Sequence, residues 1–301
     1  MSKAAPNGLV VASHGRHLIV ETEARQAVLC HTRGKKNEAV VGDRVHWQPA
    51  GDEGVIDAVA ARRNLLFRQD EWRIKSFAAN LDAILMVVAG EPVFSESQLA
   101  RALVAAAQAG IPAMIGLNKI DLPVAATARA RLAPYVAMGV PVLELALKSD
   151  PDAARALLEP RLLGKTTLVL GPSGSGKSSL INRLVPAADA QVGEISRALG
   201  TGRHTTTTAR WYWLGDGAQD GALIDSPGFQ QFGLQQIPAA DLAGLMPDLA
   251  VHLGGCRFYN CSHRHEPGCA VRQAVERGEV HPSRYRIYGE LFDEISTAPA
   301  R

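Results

Sequence analysis

The chain carries Gly171-Pro172-Ser173-Gly174-Ser175-Gly176-Lys177-Ser178, and about fifty residues ahead of it Asn118-Lys119-Ile120-Asp121. The octapeptide follows the predicted strand TTLVLG and opens the predicted helix KSSLINRLV. That context makes it a phosphate cradle: glycines let successive backbone N–H groups and the helix N-terminus close around phosphate oxygens. Lys177 is expected to reach the β and γ phosphates, the Ser178 hydroxyl to ligate Mg²⁺, and Ser179 to bond near the α phosphate. Asn118-Lys119-Ile120-Asp121 is a base reader. The Asp121 carboxylate matches the N1–H and N2–H₂ donors of guanine, Asn118 faces N7 and O6, and the stem of Lys119 packs over the ring. Both motifs therefore address one guanine nucleotide, but in the reverse of the usual order. That order predicts a circularly permuted nucleotide-binding fold.

Two further segments extend the site. Asp225-Ser226-Pro227-Gly228 ends the run GALI. Alone it reads as a turn; downstream of a phosphate loop, Asp225 is expected to hold Mg²⁺ through water and the Gly228 N–H to meet the γ phosphate. Gly202 to Thr208, GRHTTTT, lies between the two. One of its threonines should complete the Mg²⁺ shell; Thr206 is favoured, with Thr205 and Thr207 as alternatives. Phe229 stands where many such enzymes place a water-orienting glutamine. His204 is a candidate replacement, or a contact to a partner.

Three of the four cysteines fall within Cys256 to Cys269. Cys256, Cys261, His263 and Cys269 offer three thiolates and one imidazole, the donor set of a closed structural zinc site. His265 is a competing ligand. Cys30 stands apart in an apolar run and reads as a core residue.

Residues 8 to 68 show short strands with glycine punctuation, predicting a five-stranded barrel of the OB type. Its basic residues include Arg33, Arg44, Arg62 and Arg63. They suit a polyanion, and equally a well-solvated face. The basic stretch Arg68 to Lys75 reads as a connector. From there to residue 235, strands alternate with helices, predicting a doubly wound α/β sheet with ligands at the C-terminal strand ends. The rest reads as helices around the Cys/His cluster, with residues 237–250 as one helix. The predicted domains are thus residues 1–70, 71–235 and 236–301. Hydrophobic content of 47% with 21% charged residues is that of a soluble globular chain. The longest apolar run, Leu81 to Gly90, is strand-sized, and Met1 to Pro6 has no signal-like apolar stretch. The expectation is a cytoplasmic protein without membrane contact.

KSFAAN, NKIDL, GPSGSGKSSLIN, GRHTTTT, IDSPGFQQFGL and CRFYNCSHRHEPGCAV together resemble the circularly permuted, ribosome small-subunit-dependent GTPase A family of bacteria, over nearly the whole chain. The resemblance implies an OB domain, a permuted GTPase and a C-terminal zinc domain. It further implies a monomer that binds the small ribosomal subunit and its rRNA, and hydrolyses GTP to GDP late in subunit maturation with subunit-stimulated turnover. Two departures stand out: Ala146-Leu147 replaces the Ser-Ala expected behind guanine, and SESQLARAL lacks the expected Asp-Arg-Tyr. The alternatives are an rRNA-binding checkpoint in which nucleotide only sets affinity, a P-loop ATPase or nucleotide kinase, and a zinc-dependent nucleic-acid module with a silent GTPase.

Overall fold

The computed structural model describes residues 6–14, 17–33, 39–69, 74–185, 188, 209–215, 220–226, 232 and 234–297. Strands β1 (Gly8–His14), β2 (His17–Thr22), β3 (Ala27–Thr32), β4 (Arg44–Ala50) and β5 (Glu53–Val59) close on themselves in the order β1-β2-β3-β5-β4-β1. Only β3 and β5 run parallel. Alternation along each strand turns Val10, Leu18, Val20, Cys30, Val45 and Ile56 inward as the barrel core. The expected five-stranded barrel is therefore present. Cys30 is fully buried in it, and burial together with Glu53 pushes its thiol up to about 11, as suits an inert core residue.

The stretch read as a connector, Arg68 to Lys75, is strand at its described ends. Its two ends belong to β6 (Leu65–Gln69) and β7 (Ile74–Ala79), an antiparallel pair. Arg and Lys drew the sequence reading toward solvent. Leu66, Phe77 and Ala78, however, are buried, and their apolar surface holds the pair against the main core.

The central sheet contains β8 (Ala83–Ala89), β9 (Ala113–Asn118), β10 (Val142–Leu145), β11 (Thr166–Leu170), β12 (Arg210–Trp213) and β13 (Ala222–Asp225), ordered β10-β9-β8-β11-β13-β12. All neighbours are parallel except β12 with β13. Counted from β11, as if the chain began there, the spatial order becomes 2-3-1-4-5-6. The strands thus keep one continuous spatial plan, and only the position of the termini has moved.

Helices α1 (Glu96–Gln108) and α2 (Ala125–Ala137) cover one face of this sheet; α3 (Pro151–Leu162) and α4 (Lys177–Leu184) cover the other. Alternate residues of β8 serve the two cores: Ile84, Met86 and Val88 face one, Ala83, Leu85 and Val87 the other. The helix expected over Asp152 to Leu158 is longer at both ends. Asp150 caps it by accepting from the Ala153 N–H at 3.2 Å, and it runs through Pro160 to Leu162.

The barrel joins this sheet edge to edge, with Ala12 of β1 opposite Arg210 of β12. Trp213 Nε1–H reinforces the seam by donating to both carboxylate oxygens of Glu21, at 3.0 and 3.1 Å, while the Arg25 guanidinium lies 4.0 Å over the Trp213 ring.

Beyond the sheet, residues 237–250 form a 3₁₀ turn, Ala239–Leu245, and a short helix, Pro247–Ala250, rather than one helix. Pro247 has no N–H and disfavours helical backbone at Met246, which sits extended at φ −112°, ψ 103°. Helices Ala270–Glu276 and Pro282–Thr297 complete the chain and share the core of α1 and α2 through Val271, Ala274, Ile287 and Leu291. Among the described residues, no helix is long and apolar enough to cross a membrane.

Candidate nucleotide site and metal knot

Strand β11 delivers the glycine loop to the centre of the sheet, at its C-terminal edge. A Cβ on Gly171 would lie 2.1 Å from the Val87 carbonyl, so only glycine lets the loop press on β8. Gly176 has φ +110°, and a Cβ there would lie 2.1 Å from Asn118 Nδ2. The loop thus touches the base-reading strand. Asn118 is buried at the end of β9, where its Nδ2 donates to the Ser175 carbonyl at 2.9 Å and its Oδ1 accepts the Leu147 N–H at 3.2 Å. It buckles three strand ends together. Lys119, at φ +61°, donates from Nζ to the Glu91 carbonyl at 2.8 Å and so spans to the loop after β8.

A cleft of about 780 Å³ opens beside these contacts. Asn118, Lys119 and Asp121 line one end; Ser173, Gly174 and Gly176 to Ser179 line the other, with Asp225 and Ser226 beside them. Both motifs therefore face one cavity, which lies in the size range of small-molecule sites. Gly171, Pro172 and Ser175 lie behind the lining. Among the described residues, the buried Ser175 hydroxyl has no hydrogen-bond partner.

Lys177 Nζ donates to the Gly171 and Pro172 carbonyls at 2.7 and 3.2 Å, which poises its ammonium at the loop mouth. Burial lowers its pKa, and the charge of Asp225 opposes that shift. Asp225 is itself buried at the end of β13. Burial pushes its carboxyl up to about 6, against the pull of Lys177, the Ser226 N–H and Arg210. Lys177 and Asp225 thus face each other at a partly buried site beside Ser178. The donor set fits Mg²⁺ with a polyphosphate, and Ser178 and Asp225 would hold the ion.

The second candidate centre is local. One ligand atom from each of Cys256, Cys261, His263 and Cys269 lies within 4.8 Å of all the others. His263 Nδ1 is 3.4 Å from Cys256 Sγ and 3.5 Å from Cys269 Sγ. A tetrahedral zinc site with ordinary bond lengths has N–S edges of about 3.5 Å, so the donors fit. His263 takes φ +59°, a conformation held by Tyr285 and Tyr288, whose hydroxyls donate to the His263 and Ser262 carbonyls at 2.7 Å each. The Glu266 carboxylate accepts the N–H groups of Ser262, Arg264 and His265 and so fixes the turn. Burial together with the neighbouring thiols pushes Cys261 up to about 12, a crowding that a bound cation would relieve. The competing ligand His265 is exposed and outside the cluster.

A sequence model of the RsgA GTPase family matches residues 59–235. The small ribosomal subunit biogenesis GTPase RsgA of Variovorax paradoxus (strain S110) is 57% identical over 295 residues, covering 96% of this chain and 92% of its own length. Its namesake from Burkholderia pseudomallei (strain K96243) is 52% identical over 292 residues, with the same coverage. This chain belongs to the RsgA GTPase family. Solved structures agree. YjeQ from Thermotoga maritima superposes with a TM-score of 0.74 at 29% identity, covering 98% of this chain and all of the other. YloQ, described as a circularly permuted GTPase, superposes with a TM-score of 0.69 at 28% identity, covering 99% and 97%.

Asn118, Lys119, Asp121, Gly174, Lys177 to Ser179 and Asp225 meet at the cleft. His204, Thr206 and Gly228 lie outside the described residues, as do Thr205, Thr207 and Phe229. Sequence reasoning missed Lys148, which lines the base end of the cleft beside Leu147. Its position just past the end of β10, where ligands of parallel sheets bind, was the available signal. It also missed the buckle role of Asn118, because hydrogen bonds between strand ends far apart in sequence leave no local pattern.

Proposed function

We propose that this chain hydrolyses GTP to GDP and phosphate in the biogenesis of the small ribosomal subunit, with the subunit stimulating turnover. The observation that carries the reading is the single cleft shared by Asp121 and Lys177. Asp121 selects guanine by accepting from its N1–H and N2–H₂. An adenine ring would leave that carboxylate unpaired, which costs large factors in affinity. Asn118 holds the loop against the base site, and Lys119 and Lys148 flank the ring. The backbone from Gly171 to Gly176 cradles the phosphates, and Ser179 donates near the α phosphate.

The attacking water forms a bond to the γ phosphorus as the bond to the β–γ bridging oxygen breaks. GDP leaves with the electron pair, and the water protons remain with phosphate. Lys177 spreads the charge that builds on the phosphoryl oxygens. Mg²⁺ bound by Ser178, Asp225 and Thr206 would supply further neutralisation and fix the phosphate geometry. His204 orients water in place of the missing glutamine, and the Gly228 N–H senses the γ phosphate. With Phe229 after the glycine, unaided turnover is slow.

In this reading residues 1–70 bind rRNA, residues 71–235 form the permuted GTPase, and residues 236–301 form a helical domain around one structural Zn²⁺. The protein works as a monomer in the cytoplasm. Relatives named small ribosomal subunit biogenesis GTPases support the partner. The test is the rate of GTP hydrolysis with and without purified small subunits, with ATP as the control nucleotide. Strong stimulation with GTP alone is expected. Equal rates would remove the stimulation, and turnover of ATP would remove the guanine reading.

A further inference from the structure

Arg101 projects from α1 with its side chain only 14% exposed. One of its terminal nitrogens donates to the Phe232 carbonyl at 3.2 Å and to Glu294 Oε1 at 2.8 Å; the other donates to Glu294 Oε2. Phe232 stands seven residues beyond Asp225 in sequence, and Glu294 lies on the last helix, Pro282–Thr297. The Phe232 ring is wholly buried in the core that also holds Leu99, Ile287 and Leu291. The same last helix carries Tyr285 and Tyr288, whose hydroxyls hold the backbone of the metal knot. One guanidinium therefore touches the chain leaving the nucleotide cleft and the helix that braces the knot.

We infer that Arg101 is a positioning residue that couples the nucleotide cleft to the last helix and its metal knot; the inference rests on the reading of the cleft as a GTP site. An ion pair alone would only glue two elements together. Here one terminal NH₂ group donates to both a carbonyl and a carboxylate, and the guanidinium is a rigid planar fork. A shift of the Phe232 carbonyl turns the fork, and a turned fork moves the Glu294 carboxylate with it. Lysine offers a point charge without fixed donor directions and cannot transmit that rotation. The coupling acts in both directions, so a displaced last helix also alters nucleotide preference.

The experiment uses the full-length, metal-loaded protein, with Mg²⁺ and either GDP or a non-hydrolysable GTP analogue, and without ribosomes. Amide hydrogen exchange across Pro282–Thr297 is the readout. In the wild type, protection of this helix differs between the two nucleotides. Arg101→Met reduces that difference about tenfold or more, within the usual span of coupling between sites, while basal hydrolysis stays at the wild-type rate. Arg101→Lys behaves the same way and serves if the Met variant fails to fold. The swapped pair Arg101→Glu with Glu294→Arg rebuilds the ion pair without the Phe232 contact, and the difference stays lost. The inference is overturned if the wild type binds both nucleotides and shows equal protection, if Arg101→Met retains the difference, or if the swapped pair restores it. Failure of the wild type to bind either nucleotide overturns the cleft reading itself, and this inference with it.

Discussion

The nucleotide cleft and the metal knot are built in opposite ways. The knot takes its four donors from the fourteen residues Cys256 to Cys269, so the short chain between them already keeps them close. The cleft takes Asp121, Lys148, Lys177 and Asp225 from four strand ends spread over more than a hundred residues. Nothing in the chain between them enforces proximity; the order of the sheet does. A local site is vulnerable to loss of its ion, and a distributed site to loss of the sheet register. The two should therefore fail separately.

The largest expected effect tests that separation. Cys261→Ala, or removal of the ion by a chelator, forfeits metal-binding free energy on the order of 10 kcal/mol. Limited proteolysis should then degrade residues beyond 250 while GTP binding persists, its affinity shifted only by the coupling that runs through Arg101. Parallel loss of nucleotide binding would show that the cleft needs the knot, and would break the comparison.

Next come changes inside the cleft. Lys177→Ala removes the proposed cation at the phosphoryl group, and single-turnover hydrolysis should slow by about 10²-fold or more, with the Cys/His knot unaffected. Asp121→Asn should weaken GTP by about 10²-fold while improving xanthosine triphosphate, whose 2-oxo group suits an amide donor. A competition assay that shows no change in base preference would place the guanine contact elsewhere.

Asp225 gives a smaller, pH-dependent effect. In the nucleotide-free protein, burial raises its carboxyl to about 6, whereas in the unfolded chain it ionises near 3.9. The folded state therefore holds a proton through that window. The stabilisation is fully present below the unfolded value and is lost as pH rises through about 6. Two pKa units correspond to about 3 kcal/mol at most. Urea unfolding between pH 4.5 and 7.5 should show this slope, and Asp225→Asn should flatten it. The smallest effect lies at the barrel seam, where Trp213→Phe removes the donor to Glu21 and should cost about 1 kcal/mol in thermal unfolding.

Legibility followed the same divide. The barrel was readable because its short strands alternate and glycines such as Gly42 and Gly51 punctuate the stretches between them. The β8 run was readable because seven consecutive buried residues admit little else. The β6–β7 pair was not, because its charged residues look solvated and its burial depends on a core contributed from elsewhere. Residues 237–250 were misread as one helix because apolar periodicity overrode the proline at 247, which the backbone could not ignore. Lys148 and Arg101 carried no motif; each became meaningful only when a strand end or a distant carbonyl met it.

The amino-acid sequence by itself determined which groups can chelate a metal or wrap a phosphate, since both depend on spacings of a few residues and on glycines at fixed places. It also determined, through motif order, that the termini had moved within a familiar strand plan. Tertiary structure alone decided that Asn118 buckles the loops between Asp121 and Lys177, that Lys148 lines the same cavity, and that Arg101 bridges two distant segments. The reason is that lateral strand order and helix packing set those distances, and separation along the chain carries almost no information about either.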